Sequence, residues 1–345
     1  MRLTSIRRRT RTRGRPSAKG WQTVSRMTGP SAEPSGLGLP DRLRPVPTPP
    51  GSASADSRKG GAWTKTILLG GGGVAGLGLI FYNFPHDDLE RFLSFAQQAG
   101  FQYCELPCAA VWDERDPEAN PERRAAEVHA LLERYGMRIS ALSADNDFVQ
   151  PDDAGMEFQV QRLKRVCALA RLVGTSVLRI DGGGAKDSVP QERWRQCIVS
   201  GLRAIRPFIE REGFTLALDN HGMVTNDADF EVGIFQEVGS NRIGANVDTM
   251  NYRWAGHDLA TVGRFYHVIA PYARHVHLKD GRGSQREYRG TALGEGELDL
   301  ELAVQELQDA GYQGVYAVEY EGPSAQAEEG YSKGLAWLRA HLKTQ

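Results

Sequence analysis

From residue 77 to residue 342 the chain repeats one pattern eight times: a short apolar run, a turn, and a longer amphipathic stretch. The runs Leu77–Tyr82, Phe101–Leu106, Met137–Ser143, Thr175–Ile180, Phe214–Leu218, Ile243–Val247, Arg274–Leu278 and Val315–Val318 have the length and residue types of strands. Each is followed by helical periodicity, over Asp87–Ala96, Pro121–Tyr135, Glu157–Val173, Gln191–Arg211, Asp227–Val238, Leu259–Ile269, Leu300–Ala310 and Ala325–Leu342. Gly100, Gly136, Gly174, Gly213, Gly239 and Gly311 stand where a left-handed residue would cap several of these helices. A helix between successive strands is a crossover, which makes the strands parallel. Eight such units in about 270 residues predict an α/β fold, a closed (β/α)8 TIM barrel, rather than an open doubly wound sheet. Gly70–Gly73 is glycine-rich, but no G-x-G-x-x-G run lies there between a strand and a helix, so the open sheet lacks its dinucleotide fingerprint.

The residues before this repeat have another character. Residues 1–62 are rich in Arg, Pro, Ser and Gly and carry no sustained apolar periodicity, so they cannot offset the entropy of ordering and are expected to be a disordered extension, with the barrel domain at 63–345. Thirteen Lys and Arg face three Asp and Glu in residues 1–60, and 29 face 40 in the remaining 285. The run Arg7-Arg8-Arg9-Thr10-Arg11-Thr12-Arg13 suits a nucleic-acid arm, a transit peptide or a twin-Arg signal. Against export, the apolar stretch Ile67–Tyr82 begins more than fifty residues later, is broken by glycines and is short for a membrane span. A dispensable extension is the expectation. The acidic body argues against nucleic acid as a partner. Cys104, Cys108, Cys167 and Cys197 show neither Cys-x-x-Cys pairs nor zinc-type spacing and read as reduced, packed thiols, which points to the cytoplasm.

In a barrel the chemistry sits at the carboxyl ends of the strands. The fifth strand ends in Asp219-Asn220-His221-Gly222 and the sixth in Asp248-Thr249-Met250-Asn251. The seventh is Arg274-His275-Val276-His277-Leu278-Lys279, whose alternate residues His275, His277 and Lys279 share one side, and the eighth ends in Glu319-Tyr320-Glu321. Taken singly, each acid has a plain explanation as a helix cap or turn residue, and each histidine as a hydrogen-bonded structural group. Asp219, Asp248, His277 and Glu319 at four consecutive strand ends instead suggest three carboxylates and one imidazole around a divalent cation. Such an oxygen-dominated set suits Mn²⁺, with Mg²⁺, Co²⁺ or Zn²⁺ as alternatives.

These residues also carry a resemblance. Leu218–Gly222, Val247–Asn251, His275–Asp280, Leu293-Gly294-Glu295-Gly296-Glu297, Gly311–Gly314 and Val318–Gly322 resemble the sugar-phosphate isomerase/epimerase group of the xylose isomerase-like barrels, over roughly residues 77–343. The resemblance implies a metal held by Asp219, Asp248, His277 and Glu319, binding vicinal oxygens of a carbohydrate. It implies an isomerase or epimerase in which Glu319 or Asp219 removes a proton beside a carbonyl, giving an enediolate, while Lys279 steadies charge on oxygen. Glu105, Arg179, His221, Asn251, His257 and His275 are the expected substrate contacts, and Lys279 has a salt bridge to Asp280 or Glu105 as its competing role. The family pattern has Glu where this chain has Asp219, one methylene shorter, which counts against a two-base epimerase.

A dehydratase of the inosose or dehydroshikimate type would use the same metal and the same first proton transfer. An endonuclease of the superfamily would need more histidines than the eight present. A carbohydrate-binding barrel disabled by the shorter Asp219 is the non-enzymatic alternative. Barrel helices often pair into homo-oligomers, and no stripe in this sequence decides that.

Overall fold

The computed structural model describes residues 75–85, 88–116 and 118–342. The expectations for residues 1–62, for Gly70–Gly73 and for a domain start at residue 63 lie outside these residues.

Strands and helices alternate along the described chain: β1 (Gly76–Ile80), α1 (Leu89–Ala99), β2 (Tyr103–Pro107), α2 (Pro121–Arg134), β3 (Arg138–Ser143), α3 (Asp153–Val173), β4 (Val177–Ile180) and α4 (Trp194–Glu212). There follow β5 (Thr215–Asp219), α5 (Ala228–Val238), β6 (Ile243–Asp248), the short α6 (Asn251–Ala255), α7 (Leu259–Ile269) and β7 (Ala273–Leu278). The chain ends with β8 (Asp280–Arg282), β9 (Arg289–Thr291), α8 (Leu300–Asp309), β10 (Val315–Val318) and α9 (Ala327–His341). Eight strands close in the order β1-β10-β7-β6-β5-β4-β3-β2, each parallel to its neighbours, so the fold is a (β/α)8 barrel.

Each helix lays an apolar stripe on this cylinder. In α1 the buried residues are Leu89, Phe92, Leu93 and Ala96, the spacing of one helical face. Aspartate or asparagine side chains cap six helices, at Asp88, Asn120, Asp152, Asp227, Asp258 and Asp299, and accept a backbone N–H three residues on. All six glycines expected as left-handed stops have positive φ, from 61° to 98°. At the seam, the Tyr331 hydroxyl of α9 lies 2.8 Å from the carbonyls of both Ile80 and Tyr82, tying the last helix to the first strand. All four cysteines are free and buried, and burial pushes the Cys108 and Cys167 thiols up to about 12. Among the described residues no helix is long and apolar enough to cross a membrane.

Three features differ from the sequence pattern. Helix α3 starts four residues earlier than Glu157, because Asp152 caps it ahead of Gly155, which interrupts the apolar period. Helix α6 and the antiparallel β8–β9 hairpin, five and three residues per element, are too short to leave a periodic signature. Two register shifts interrupt the parallel ladder: Ser140 of β3 is skipped opposite Cys104 and Glu105 of β2, and Arg274 of β7 is skipped opposite Ala245 and Asn246 of β6. Both lie beside residues of the barrel mouth, where bulges commonly re-aim a side chain.

Gly244, just ahead of the second shift, is packed so closely that a Cβ there would lie 2.1 Å from the Tyr272 carbonyl oxygen. Gly244→Ala is therefore expected to destabilise the barrel by about 1–3 kcal/mol. Scanning calorimetry should record this as a lower Tm; an unchanged Tm would show that β6 and β7 can separate there freely.

Candidate metal centre

The ladder pairs Asp219 with Asn246 and Asp248 with His277, and sets Ala317, two residues before Glu319, beside His277. Donor atoms of Asp219, Asp248 and His277 lie within 4.8 Å of one another, all three side chains being buried. Glu319 joins them through Oε2, 3.2 Å from His277 Nδ1. The strand ends therefore bring the four expected ligands into one cluster.

His277 lies between two carboxylates. Its Nε2 is 2.7 Å from Glu105 Oε2, while Nδ1 faces Glu319 and, at 3.9 Å, Asp248 Oδ2. Burial alone would lower this imidazole's pKa; the charge and hydrogen bond of Glu105, with those of Glu319, outweigh it and push the group up to about 10. Glu105, itself held below the usual carboxylate range by His277 against its burial, can only accept, so Nε2 carries a hydrogen. Nδ1 is then the nitrogen turned toward Asp248 and Glu319.

One layer deeper, His275 Nδ1 is 2.9 Å from Asn246 Oδ1, and Asn246 Nδ2 donates to Asp219 Oδ1. The amide must present its oxygen to His275, which fixes the imidazole hydrogen on Nδ1. Burial lowers this group to about 4, so it is neutral. Glu105 and His275, both expected to meet substrate, are each 2% exposed and lie inside the barrel, where they hold His277 and Asn246.

Lys279 reaches neither Asp280 nor Glu105. Its Nζ lies 3.0 Å from Asp248 Oδ2, 3.4 Å from Glu319 Oε1 and 3.6 Å from Glu321 Oε1. Asp280 instead accepts the N–H groups of Gly281, Gly294 and Gly296, pinning the loop that follows β7. Arg179, from β4, pairs with Asp219 Oδ2 through Nη2 and lies 3.1 Å from Asp181 Oδ2 through Nη1. His221 is the open member of the group: its side chain is 60% exposed and its Nδ1 is 3.5 Å from Asp219 Oδ2. Asn251 is buried, with its amide nitrogen lacking a partner. His257 is drawn aside, bonded to the Asn226 carbonyl at 2.8 Å and set edge-on to Phe265.

Asn246, Glu321 and Tyr288 were not anticipated as site residues. Asn246 had a signal, since it sits two residues before Asp248 and so shares its face. Glu321 stands two residues beyond Glu319 in the same way. Tyr288, whose buried hydroxyl has no partner and whose pKa is raised by burial and by Glu321, comes from the hairpin and had none.

The donor set fits a divalent cation. Asp248 is both a cap and an open ligand: Oδ1 accepts the N–H groups of Met250 and Asn251 at 2.9 Å, while Oδ2, fully buried, has Lys279 near it but no aligned hydrogen-bond donor. Burial, with the charges of Glu319 and Asp219, pushes Asp248 up to about 7 in spite of Lys279. Five carboxylates, of Asp181, Asp219, Asp248, Glu319 and Glu321, share the mouth with Arg179 and Lys279, while Glu105 and His277 pair beneath them, which leaves net negative charge for a cation to balance. Glu105 behind His277 is the arrangement that commonly orients an imidazole for a metal.

A closed parallel barrel with carboxylates and histidine gathered at the carboxyl ends of its strands defines the class. The chain belongs to the family described as Xylose isomerase-like TIM barrel, whose model matches residues 93–341. It is similar to L-ribulose-5-phosphate 3-epimerase UlaE of Escherichia coli, 25% identical over 282 residues that cover 74% of this chain and 89% of that one. Among solved structures it is similar to the IolI protein crystallised with a zinc atom, at a TM-score of 0.64 and 16% identity, over 78% of this chain and 100% of that one. It also resembles a structure described as the probable 3-DHS dehydratase AsbF of Bacillus anthracis, at a TM-score of 0.58 and 17% identity, over 76% of this chain and 98% of that one.

Two outcomes follow from the protons now held at Asp248 and His277. Cation uptake should release roughly one or more protons, and should weaken as pH falls through about 10, where His277 takes its proton, and more steeply below about 7, where Asp248 keeps its own. Calorimetry in buffers of different ionisation enthalpy measures this; uptake without proton release would place the ion elsewhere. Glu105→Gln should lower Mn²⁺ affinity about 10- to 100-fold by loosening His277.

Proposed function

We propose that this chain is a divalent-metal-dependent isomerase or epimerase acting on a small carbohydrate: a sugar, sugar phosphate or cyclitol. The observation that carries the reading is Asp248 Oδ2, fully buried with Lys279 Nζ at 3.0 Å but no aligned hydrogen bond, and flanked by His277 Nδ1 and Glu319. Asp248, His277 and Glu319, with Asp219 beside them, would hold the ion, most suitably Mn²⁺. When bound, such an ion polarises a carbonyl and the hydroxyl next to it, which acidifies the intervening C–H.

The chain's own residues then divide the work. Glu319, 12% exposed and the least buried of the four, is the carboxylate that takes the proton from carbon. Lys279 and His277, 3.4 Å and 3.2 Å from its two oxygens, keep it ionised and aimed. On the β5 side Asp219, held well below the usual carboxylate range by Arg179 against its burial, stays ionised and raises the pKa of His221, 3.5 Å away, so that the imidazolium returns a proton to the opposite face or the neighbouring carbon. Lys279 also offsets negative charge that develops on substrate oxygen. Tyr288 and Asn251 bring unpartnered polar groups to the same region and are suited to substrate hydroxyls.

A lyase is the second reading, and one observation favours it. Arg179 and Asn246 engage both oxygens of Asp219, and a β-elimination needs a base on one face only. Manganese-loaded protein incubated in deuterated water with ketoses, ketose phosphates and inososes, followed by NMR and mass spectrometry, separates the outcomes. Deuterium beside the carbonyl together with a new epimer or isomer is the expected result, and Glu319→Gln should slow it by about 10²- to 10⁴-fold. A product lighter by one water would establish the lyase. Binding with no exchange from any compound would leave a carbohydrate-binding barrel.

A further inference from the structure

The side chains of Asp181, Asp219 and His221 form a second group whose donor atoms lie within 4.8 Å of one another. Asp219 belongs to this group and to the one with Asp248 and His277, so it stands between two places where a cation could be bound. The two places are filled differently. Beside Asp248, Lys279 Nζ lies 3.0 Å from Oδ2 without an aligned hydrogen bond, whereas between Asp181 and Asp219 the guanidinium of Arg179 donates to both carboxylates.

We infer that Arg179 is a built-in cation that occupies the position of a second divalent ion, so that the centre is limited to one exchangeable metal. The side chain is 11% exposed and spans the group: Nη1 lies 3.1 Å from both Asp181 Oδ2 and Ser143 Oγ, and Nη2 donates to Asp219 Oδ2. The planar guanidinium bridges the two carboxylates, one Nη on each, with two charge-assisted hydrogen bonds. Both Nη groups are engaged by internal side chains, which leaves Nε as the one nitrogen of Arg179 without a partner among the described residues.

The arrangement also accounts for the short side chain at position 219. Asp219 is fixed from two neighbouring strands, by Arg179 of β4 on Oδ2 and by Asn246 of β6 on Oδ1. A carboxylate held from both sides keeps its position without the reach of a longer side chain. Arg179 is thus a positioning residue for Asp219 and a permanent positive charge on the β4–β5 side of the mouth, one that a chelator cannot remove.

The test counts ions. Mn²⁺ bound per chain is measured by electron paramagnetic resonance of the free ion in wild type, Arg179→Ala, Arg179→Gln, Arg179→Lys and the double variant Arg179→Ala, Asp181→Asn. Thermal melting and circular dichroism check that each is folded. The expected result is one more ion per chain in Arg179→Ala or Arg179→Gln than in wild type, lost again in the double variant and not gained in Arg179→Lys. If folded Arg179→Ala and Arg179→Gln both bind the same number of ions as wild type, the inference is overturned. An additional ion that survives Asp181→Asn overturns it as well. The inference rests on the difference between variants, so a wild type that binds no Mn²⁺ would count against the proposed metal-dependent activity, while a gain of one ion in the variants would still uphold the role of Arg179.

Discussion

Negative charge packed into a space with little water is the constraint on which the mouth of this barrel depends. Asp248 and Glu319 come from strands that flank β7, and with Asp219 they would repel one another if left alone. The chain separates them with cations and shared protons: Arg179 against Asp219, Lys279 between Asp248 and Glu319, and His277 between Glu105 and Glu319. Breaking up such a buried network is costly because the surviving partner is left uncompensated. Conservation of that balance, rather than any single pair, gives the site its shape.

The same balance explains how structural and chemical roles coexist in one side chain. Asp248 uses one oxygen as a backbone cap and turns the other, with Lys279 at 3.0 Å but no aligned hydrogen bond, toward His277 and Glu319. His277 commits Nε2 to Glu105 and so directs Nδ1 outward. In both cases the first interaction fixes the geometry of the second. The plain reading of a strand-end acid as a cap and the chemical reading as a ligand are both true of Asp248, on different atoms.

Most of the architecture was legible in the sequence, because eight alternations of period two and period 3.6 allow few folds besides this barrel. The glycine stops were legible for the same local reason. The positions of the expected ligands at the ends of β5, β6, β7 and β10 also followed from the strand assignments. Their partners did not. Glu105 meets His277 across 172 residues of chain, and only closure of the barrel shows that it lies beneath an imidazole instead of facing the mouth. Lys279 pairs with Asp248, Glu319 and Glu321 because the loop after β7 carries Asp280 away to three backbone amides, an event with no periodic trace. Tyr288 arrives on a hairpin whose strands are three residues long.

The register shifts at Cys104/Glu105 and Ala245/Asn246 carry a consequence for comparing relatives of this chain. In a strand, neighbouring side chains face opposite sides, so one residue more or fewer exchanges the lumen for the helix layer. A homologue with the same letters around Ser143 or His277 but lacking the extra residue, Ser140 in β3 or Arg274 in β7, would present a different lining to the barrel interior. Residue identity at those strands is therefore only half of the inheritance; the other half is the count of residues that precede it.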